Sequence, residues 1–299
     1  MAVEQLLLNS LIRAAELGLL SLGLTLLYGL LRFANFAHVE FAVVGAYLAL
    51  FFNRSWHWPL PAAALLAMGL TGSLGLAVDR LVFCRLRHAA PVMLMITSFG
   101  LGIALREGVR TLWGPAPQLY PLPLQRPWLL GPVRLTPLQL GILGAALACA
   151  LLLHLLLTTT RAGMAMRATA DHPELAQACG IATERVIGSV WFLGAAFAAL
   201  AGVLMGAETQ LHPNMGFAVI IPVFCAALLG GIGRPYGALL GALLLALAEN
   251  AGLRVNFGAL LPGGSWYLPT GYKDAIAFAV LILVLLLRPQ GLLGGKRPR

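Results

Sequence analysis

The sequence predicts an all-α fold, a polytopic transmembrane helical bundle. Hydrophobic residues make up 60% of the 299 residues and charged residues only 10%, whereas soluble proteins carry about 25% charged residues. The mean hydropathy of the chain is +0.86, and no long stretch of mixed polarity could form a separate soluble domain. We therefore expect residues 1–299 to form a single transmembrane domain whose apolar side chains face lipid or other spans.

Nine apolar segments are candidates for membrane spans. A helix needs about 20 apolar residues to cross the hydrocarbon core, and several of the segments are shorter than that. The pieces near Asn35 and near Gly230 are therefore expected to be broken or re-entrant helices, which gives a count of eight or nine spans. The segments are residues 11–31, 36–52, 59–83, 92–112, 138–157, 186–206, 217–230, 236–250 and 275–287.

The formal net charge of +9 would suggest a nucleic-acid partner in a soluble protein. Here the basic residues are spread through loops and span ends, so anionic lipid headgroups and membrane topology explain them better, and no nucleic-acid partner is expected. If the polar loop at residues 158–185 is cytoplasmic, a nine-span topology places 12 of the 20 basic residues on that side. That topology predicts a cytoplasmic C-terminus and an outer N-terminus, whereas eight spans would move the N-terminus inside.

Sequence motifs of enzymes and metal sites are absent from the chain. It has no GxxxxGK[ST] phosphate-binding loop, no GxSxG and no HExxH, so neither ATP binding through such a loop nor catalysis is expected. The four cysteines lie far apart without a CxxC spacing, and no histidine pairs with a cysteine or a second histidine at metal-ligand spacing. We expect no directly bound cofactor, and any ATP hydrolysis must come from a separate chain.

The loop at residues 158–185 is polar and has the signals of a short capped helix. Asp171 or His172 can cap the helix, and Pro173 suits its first turn, where the missing N–H is not needed. Gly180 can close it in a left-handed conformation. Because such a helix is under three turns long, it would not be stable alone in water. We therefore predict that it is a docking element for a partner.

Several polar residues lie within or close to the predicted spans. Burying a charge in lipid is costly, so these residues should face protein or water and are candidates for function, with a structural role as the alternative for each. Arg106, Glu107 and Arg110 have the spacing for pairing within one helix. The candidates for polar contacts along a translocation path are Asn35, His38, Glu40, Glu249 and Asn250.

Three segments follow one another in an order that is specific when they are taken together. They are Asn35-Phe-Ala-His-Val-Glu followed by Gly45-Ala-Tyr; Arg167-Ala, Glu174, Ala176 and Gly180-Ile in the polar loop; and Leu229-Gly-Gly-Ile-Gly-Arg-Pro-Tyr-Gly followed by Glu249 and the ending Arg288-Pro-Gln-Gly-Leu-Leu-Gly. Over roughly residues 22–294 the chain thereby resembles the branched-chain amino acid permease family of bacterial ABC importers. It departs from the usual family pattern at Val39, Leu175 and Arg234, where glycine, alanine and a small residue are common.

The resemblance implies a role for the polar loop. In such importers this cytoplasmic loop forms a coupling helix that sits in a groove of the ATPase subunit. The residues that match the family's loop, and that would contact the ATPase, are Arg167, Ala168, Glu174, Ala176, Gly180 and Ile181.

The resemblance also implies the function of the whole chain. It would be a permease subunit in the bacterial inner membrane that carries branched-chain amino acids together with a second homologous permease, two ATP-binding subunits, a periplasmic substrate-binding protein and surrounding membrane lipid. Relatives carry urea, short amides or other amino acids, so these substrates stay open. An ion-driven secondary transporter would show paired intramembrane acids and an inverted repeat, and neither is clear. A membrane-embedded enzyme would need a nucleophile and base that the sequence does not show.

Overall fold

The computed structural model describes residues 3–87, 89–123, 125–131, 133–231, 233–255, 269–288 and 291–293. Within these ranges the chain forms eleven α-helices, one short antiparallel hairpin and two short 3-10 helices, Phe83–Leu86 and Thr270–Tyr272. In chain order the elements are α1 (Val3–Leu31), α2 (His38–Ser55), α3 (Leu60–Leu81), α4 (Pro91–Trp113), β1 (Trp128–Leu130), β2 (Val133–Leu135), α5 (Pro137–Thr159), α6 (Arg161–Asp171), α7 (Pro173–Ala178), α8 (Thr183–Glu208), α9 (Met215–Gly230), α10 (Pro235–Gly252) and α11 (Lys273–Leu287).

Each of the nine predicted apolar segments lies in a helix of its own, so the prediction of an all-α polytopic fold is confirmed. Proline in the first turn starts several of these helices, where its missing N–H has no partner to lose. Helix α5 has a full capping box, in which Thr136 and Gln139 bond each other's backbone. The main difference is in α1, which begins at Val3 and not at residue 11.

The number of spans is a separate question from the number of helices. Five described helices, α1, α3, α4, α5 and α8, are individually long and apolar enough to cross a membrane. A sixth candidate is the pair α9 and α10, which is bent by 120° between Gly230 and Pro235. The expected interruption near Gly230 is thus present, whereas near Asn35 the chain simply leaves α1 at Leu31 and enters α2 at His38. A broken or re-entrant helix at Asn35 and the count of eight or nine spans stay predictions.

The core is built around α1 and α8, which pack on each other: α10 packs on α1, α2 and α3 pack on α8, and α9 packs on α10 and α1. Small residues allow these helices to approach closely. Gly45 of α2 lies directly against Ala199 of α8, and one turn away Gly202 of α8 lies against the carbonyl oxygen of Ala42. No side chain could be added at either glycine without moving the two helices apart.

The loop between α4 and α5 covers the end of the bundle opposite the polar loop, since α5 joins the two. Gln118 pairs with Leu211, which ties this loop to the connection between α8 and α9. The hydroxyl of Tyr120 donates a hydrogen bond to the carbonyl oxygen of Ala46, at 2.8 Å and in a buried position. These contacts hold the loop against α2 and α8.

Candidate functional site

The polar loop contains two helices, α6 and α7, of which the sequence predicts only α7. Thr160 is the N-cap of α6, and its hydroxyl accepts a hydrogen bond from the backbone N–H of Gly163 at 3.0 Å. Gly163 lies so close to the backbone of Leu157 that no larger residue would fit there. The available signals for α6 were the capping threonine and the three-residue spacing of Gly163, Met166 and Thr169, of which only Met166 is a large apolar residue.

One face of α6 fastens the loop to the bundle. Gly163, Met166 and Thr169 are buried and spaced three residues apart, so they lie on the same side of the helix. Met166 lines two clefts beside the loop, one of them with Leu157. Arg167 and Ala168 follow on the other sides of α6, exposed and half-buried respectively. The loop is therefore held by a continuous apolar contact on one face only.

Helix α7 agrees with the predicted capping pattern in most respects. Pro173 occupies its first turn and His172 its N-cap position, although the His172 side chain makes no capping hydrogen bond. Gly180 has a φ of 84°, the left-handed conformation expected of it. The N–H of Ile181 then donates to the carbonyl oxygen of Ala176 at 3.0 Å, which closes the helix. The result is a six-residue helix that is fixed at both ends.

The residues of α7 divide sharply by exposure. Ala176 is buried against the bundle, whereas Glu174 and Leu175 point outward, as does Gly180 beyond the helix end. Leu175 is 62% exposed, although it lies in a polar loop and not on a candidate span. Leu175 thus adds apolar surface to the outer side of α7.

An ion cluster joins the end of the polar loop to the end of α3. The Nη2 atom of Arg87 lies 3.0 Å from Oδ2 of Asp79 and 3.1 Å from Oε2 of Glu184 at the start of α8. Asp79 and Arg87 are largely buried, whereas the side chain of Glu184 is 62% exposed. Sequence reasoning missed this cluster, because Asp79 and Arg87 are on either side of the end of α3 and Glu184 is about 100 residues further along the chain.

The first group of predicted path residues gathers at the start of α2. After α1 the chain turns at Arg32, whose φ is 55°, and runs back along the bundle. The Nε2 atom of His38 then donates to the carbonyl oxygen of Leu20, halfway along α1, at 3.0 Å. Asn35 accepts a hydrogen bond from the N–H of Ala37 at 3.1 Å. Helix α2 thus begins deep in the bundle and not at its edge.

Glu40 belongs to the same group. It is 3% exposed, and its Oε2 atom is buried without a hydrogen-bond partner among the described residues. Asn35, His38 and Glu40 thus lie within six residues at the start of α2, but His38 contacts α1, whereas Glu40 lies beside Gly102 of α4 and Gly216 of α9.

The second group, Glu249 and Asn250, lies elsewhere, against the N-terminal half of α1. Arg13 approaches Glu249 at 3.6 Å and Glu16 at 3.5 Å, and Asn250 donates to the hydroxyl of Ser10 at 3.0 Å. Ser10 and Leu20 are ten residues apart on α1, which corresponds to about 15 Å along the helix. The five predicted residues therefore form two groups at different depths.

Arg13 and Glu16 were not predicted as site residues. The available signal was two opposite charges three residues apart inside an otherwise apolar helix. The predicted pairing on α4 is present in part, since Arg110 and Glu107 approach to 3.6 Å. Arg106 instead lies over the ring of Phe217 on α9, with its Cζ atom 5.2 Å from the ring centre.

Comparison with known proteins identifies the family. Residues 6–285 match the family described as branched-chain amino acid transport system / permease component. The high-affinity branched-chain amino acid transport system permease protein LivH of Escherichia coli (strain K12) is 32% identical over 96% of this chain and 94% of its own length. The corresponding protein BraD of Pseudomonas aeruginosa is also 32% identical, over 97% of this chain and 95% of its own length.

A more distant relative has the same description. The probable branched-chain amino acid transport permease protein LivH of Methanocaldococcus jannaschii is 29% identical over 92% of this chain and 88% of its own length. The family match and the two relatives at 32% identity each extend over nearly the whole chain. This chain therefore belongs to the permease component family of branched-chain amino acid transport systems, and it is a multi-pass membrane transport subunit, not an enzyme.

Proposed function

We propose that this chain is the membrane-spanning permease subunit of an ABC importer that carries branched-chain amino acids across the bacterial inner membrane. The observation that carries the proposal is the exposed face of α7, a short helix fixed at both ends and presenting Leu175 to the outside. A rigid projecting helix with an apolar residue on its outer side suits docking in a groove of a separate ATPase. The substrate class is supported by the relatives LivH and BraD, which are named as branched-chain amino acid permeases.

The polar loop at residues 158–185 would be cytoplasmic and contain the coupling helix. The residues proposed to contact or position the ATPase are Arg167, Ala168, Glu174, Ala176, Gly180 and Ile181. Of these, Ala176 is buried, so it would position the helix while its exposed neighbours contact the partner. The loop is fastened by Met166 and by the ion cluster at Arg87, so movement of the ATPase would be transmitted to α3, α5 and α8 as a displacement of whole helices.

The assembled importer would contain a second homologous permease, two ATP-binding subunits that hydrolyse ATP, and a periplasmic substrate-binding protein. Eight or nine spans and a cytoplasmic C-terminus belong to the same proposal, although residues 294–299 lie outside the described part of the chain. The translocation path would pass the two polar groups, Glu249 with Asn250 at one depth and Asn35, His38 and Glu40 at the other.

Reconstitution tests this function directly. The chain, a second permease, the ATP-binding subunits and the binding protein are placed in liposomes, and ATP-dependent uptake of labelled leucine, isoleucine and valine is measured. We expect uptake of all three. Urea, acetamide and other amino acids are tested in parallel, and uptake of one of these without uptake of the branched-chain amino acids would assign a different substrate. Uptake driven by an ion gradient without ATP would contradict the proposal itself.

A further inference from the structure

A groove runs beside the deep start of α2, between α4 and α9, both of which pack on α2. Phe99 and Ile103 lie one turn apart on α4 and are 48% and 40% exposed, and Phe217 on α9 is 51% exposed. At the base of the groove the ring of Phe36 contacts those of Phe99 and Phe224, with centroids 6.3 Å and 5.1 Å apart. The groove is thus apolar and largely aromatic, and it is open on one side.

Glu40 lies beside this groove with no partner for its charge. The described residues include no cation in ion-pair contact with it, and its buried Oε2 atom accepts no hydrogen bond. A carboxylate in the membrane interior is costly unless a partner compensates it. Two glycines border the side chain: an added Cβ would lie 3.4 Å from its Cγ atom at Gly102 and 3.0 Å from its Oε2 atom at Gly216.

Arg106 lies near Glu40 but does not contact it. It is one turn beyond Gly102 on α4, on the same face as Phe99 and Ile103, and Gly102 itself borders Glu40. Its Nε atom has no hydrogen-bond acceptor among the described residues, and its guanidinium lies over the Phe217 ring. Two opposite charges at the groove therefore stay apart, each with unused hydrogen-bonding capacity.

We propose that Glu40 and Arg106 form a clamp for a zwitterionic amino acid, in which Glu40 binds the α-ammonium group and Arg106 the α-carboxylate. The branched aliphatic side chain of the substrate would rest on the rings of Phe36, Phe99 and Phe224. This inference rests on the proposed function, because it needs an amino acid as substrate. A pair that served only structure would close into a direct ion pair, since unpaired charges at this depth are unfavourable. A bound zwitterion supplies both missing partners at once.

The clamp is tested in liposomes that contain the complete importer. Leucine uptake per ATP hydrolysed is compared between wild type, Glu40→Gln and Arg106→Gln, with Glu107→Gln and Arg110→Gln as controls. The controls change charges that are nearby on α4, exposed, and paired with each other. Each clamp variant should lower uptake per ATP roughly tenfold, the effect of losing one charge-assisted contact to the ligand, while the controls stay within twofold of wild type.

Further variants separate ligand binding from a structural role. If both residues touch the ligand, the double variant Glu40→Gln/Arg106→Gln should be about tenfold worse than either single variant. If they only stabilise each other, it should be no worse. Arg106→Lys and Glu40→Asp keep the charges and should recover part of the uptake. Should a glutamine variant fail to assemble, Gly102→Val fills the space beside Glu40 without removing a charge, and it should lower uptake as well.

The outcomes distinguish the clamp from the proposed function. If the glutamine variants or Gly102→Val take up leucine at the wild-type rate, the clamp is overturned, but the proposed transport function is not affected. A double variant no worse than the single variants also overturns the clamp. A wild-type importer that carries no branched-chain amino acid overturns the proposed function and the clamp with it.

Discussion

Leu175 and Ala176 are neighbours on α7 that face opposite ways, with exposures of 62% and 4%. Ala176 is held against the bundle, so its size is constrained by the rest of the chain. Leu175 is not constrained in this way, although it is the position at which the chain departs from the alanine usual in the importer loop pattern. A larger apolar residue on the outer side increases the surface that a partner could bury.

We predict that Leu175→Glu weakens binding of the ATP-binding subunits. Burying a leucine side chain contributes about 1.5–3 kcal/mol, so its loss should raise the dissociation constant at least tenfold. The measurement is binding of the purified ATP-binding subunits to the permease in nanodiscs. Met164→Glu on α6 is the matched control, since Met164 is a similarly exposed apolar residue at 53%. An equal loss of binding affinity in Leu175→Glu and Met164→Glu would argue against a specific role for Leu175.

We predict that Gly180→Ala impairs coupling through the backbone alone. The φ of 84° at Gly180 is unfavourable for any residue with a Cβ, by about 1–2 kcal/mol, and no neighbouring atom lies within 4 Å to add a steric effect. Transport per ATP should fall while membrane insertion is unchanged. Gly180→Pro should be more severe, because proline requires a φ near −65°.

Gly144→Ala on α5 is the control for this series. It also has no neighbour within 4 Å, but it lies inside a helix, where alanine is favoured. Gly180→Asn should recover part of the coupling, because asparagine tolerates the left-handed conformation. Wild-type coupling in Gly180→Pro would show that the end of α7 does not take part in transmission.

At the ion cluster, we predict a strong asymmetry between its members. Arg87→Met removes the cation from the buried Asp79, which should lower the free energy of unfolding by about 3–5 kcal/mol. Glu184→Gln removes an exposed partner and should change it by under about 1 kcal/mol. Thermal unfolding of the purified permease in detergent measures both. Recovery of stability in the double variant Arg87→Met/Asp79→Leu would identify the unpaired carboxylate as the cause.

The sequence predicted the helices well and their contacts poorly, for a physical reason. Apolar segments must be helical in a membrane because every backbone group needs an internal partner, so the nine segments all lie in helices. The short helix α7 could be predicted because Pro173 and Gly180 are local signals. Helix α6 could not, since it is stabilised by the burial of Met166 against other helices.

The same distinction applies to the candidate site. The grouping of Asn35, His38 and Glu40 follows from their closeness in the sequence. The partner of Glu249 is Arg13, which is more than 200 residues away, and only the fold brings the two together. Arg106 was expected to pair within α4, and the structure places it over Phe217 on another helix. Tertiary contacts between helices cannot be read from the spacing along one of them.

For the helix interface, we predict that Gly202→Leu strongly destabilises the bundle. Gly202 lies directly against the carbonyl oxygen of Ala42, so a side chain there must push α2 and α8 apart. Overpacking of this kind typically costs about 1–3 kcal/mol. Gly69→Leu on α3 is the control, because nothing lies within 4 Å of that glycine. Thermal unfolding should show a lower midpoint for Gly202→Leu only, and equal midpoints would contradict the close approach of α2 and α8.

The loop between α4 and α5 gives a prediction that depends on pH. Burial, with a smaller contribution from Tyr47, raises the pKa of the Tyr120 hydroxyl above its usual value of about 10. Its hydrogen bond to Ala46 therefore stabilises the fold fully below pH 10. That stability is lost as the pH rises above 10, because only the unfolded or released tyrosine ionises readily there. Tyr120→Phe should thus lower the free energy of unfolding by about 1 kcal/mol at pH 8.

The difference in unfolding free energy between wild type and Tyr120→Phe should shrink between pH 10 and pH 11. Only the wild type loses stability there, since phenylalanine has no proton to lose. The unfolding midpoint is measured across this range, together with protease cleavage of the loop between α4 and α5. Tyr272→Phe is the control, because Tyr272 is 53% exposed and its removal should change neither measurement. If the difference in unfolding midpoint stayed constant with pH, Tyr120 would contribute through its shape alone. If the difference widened, the inference that the Tyr120 hydroxyl is buried and neutral would be contradicted.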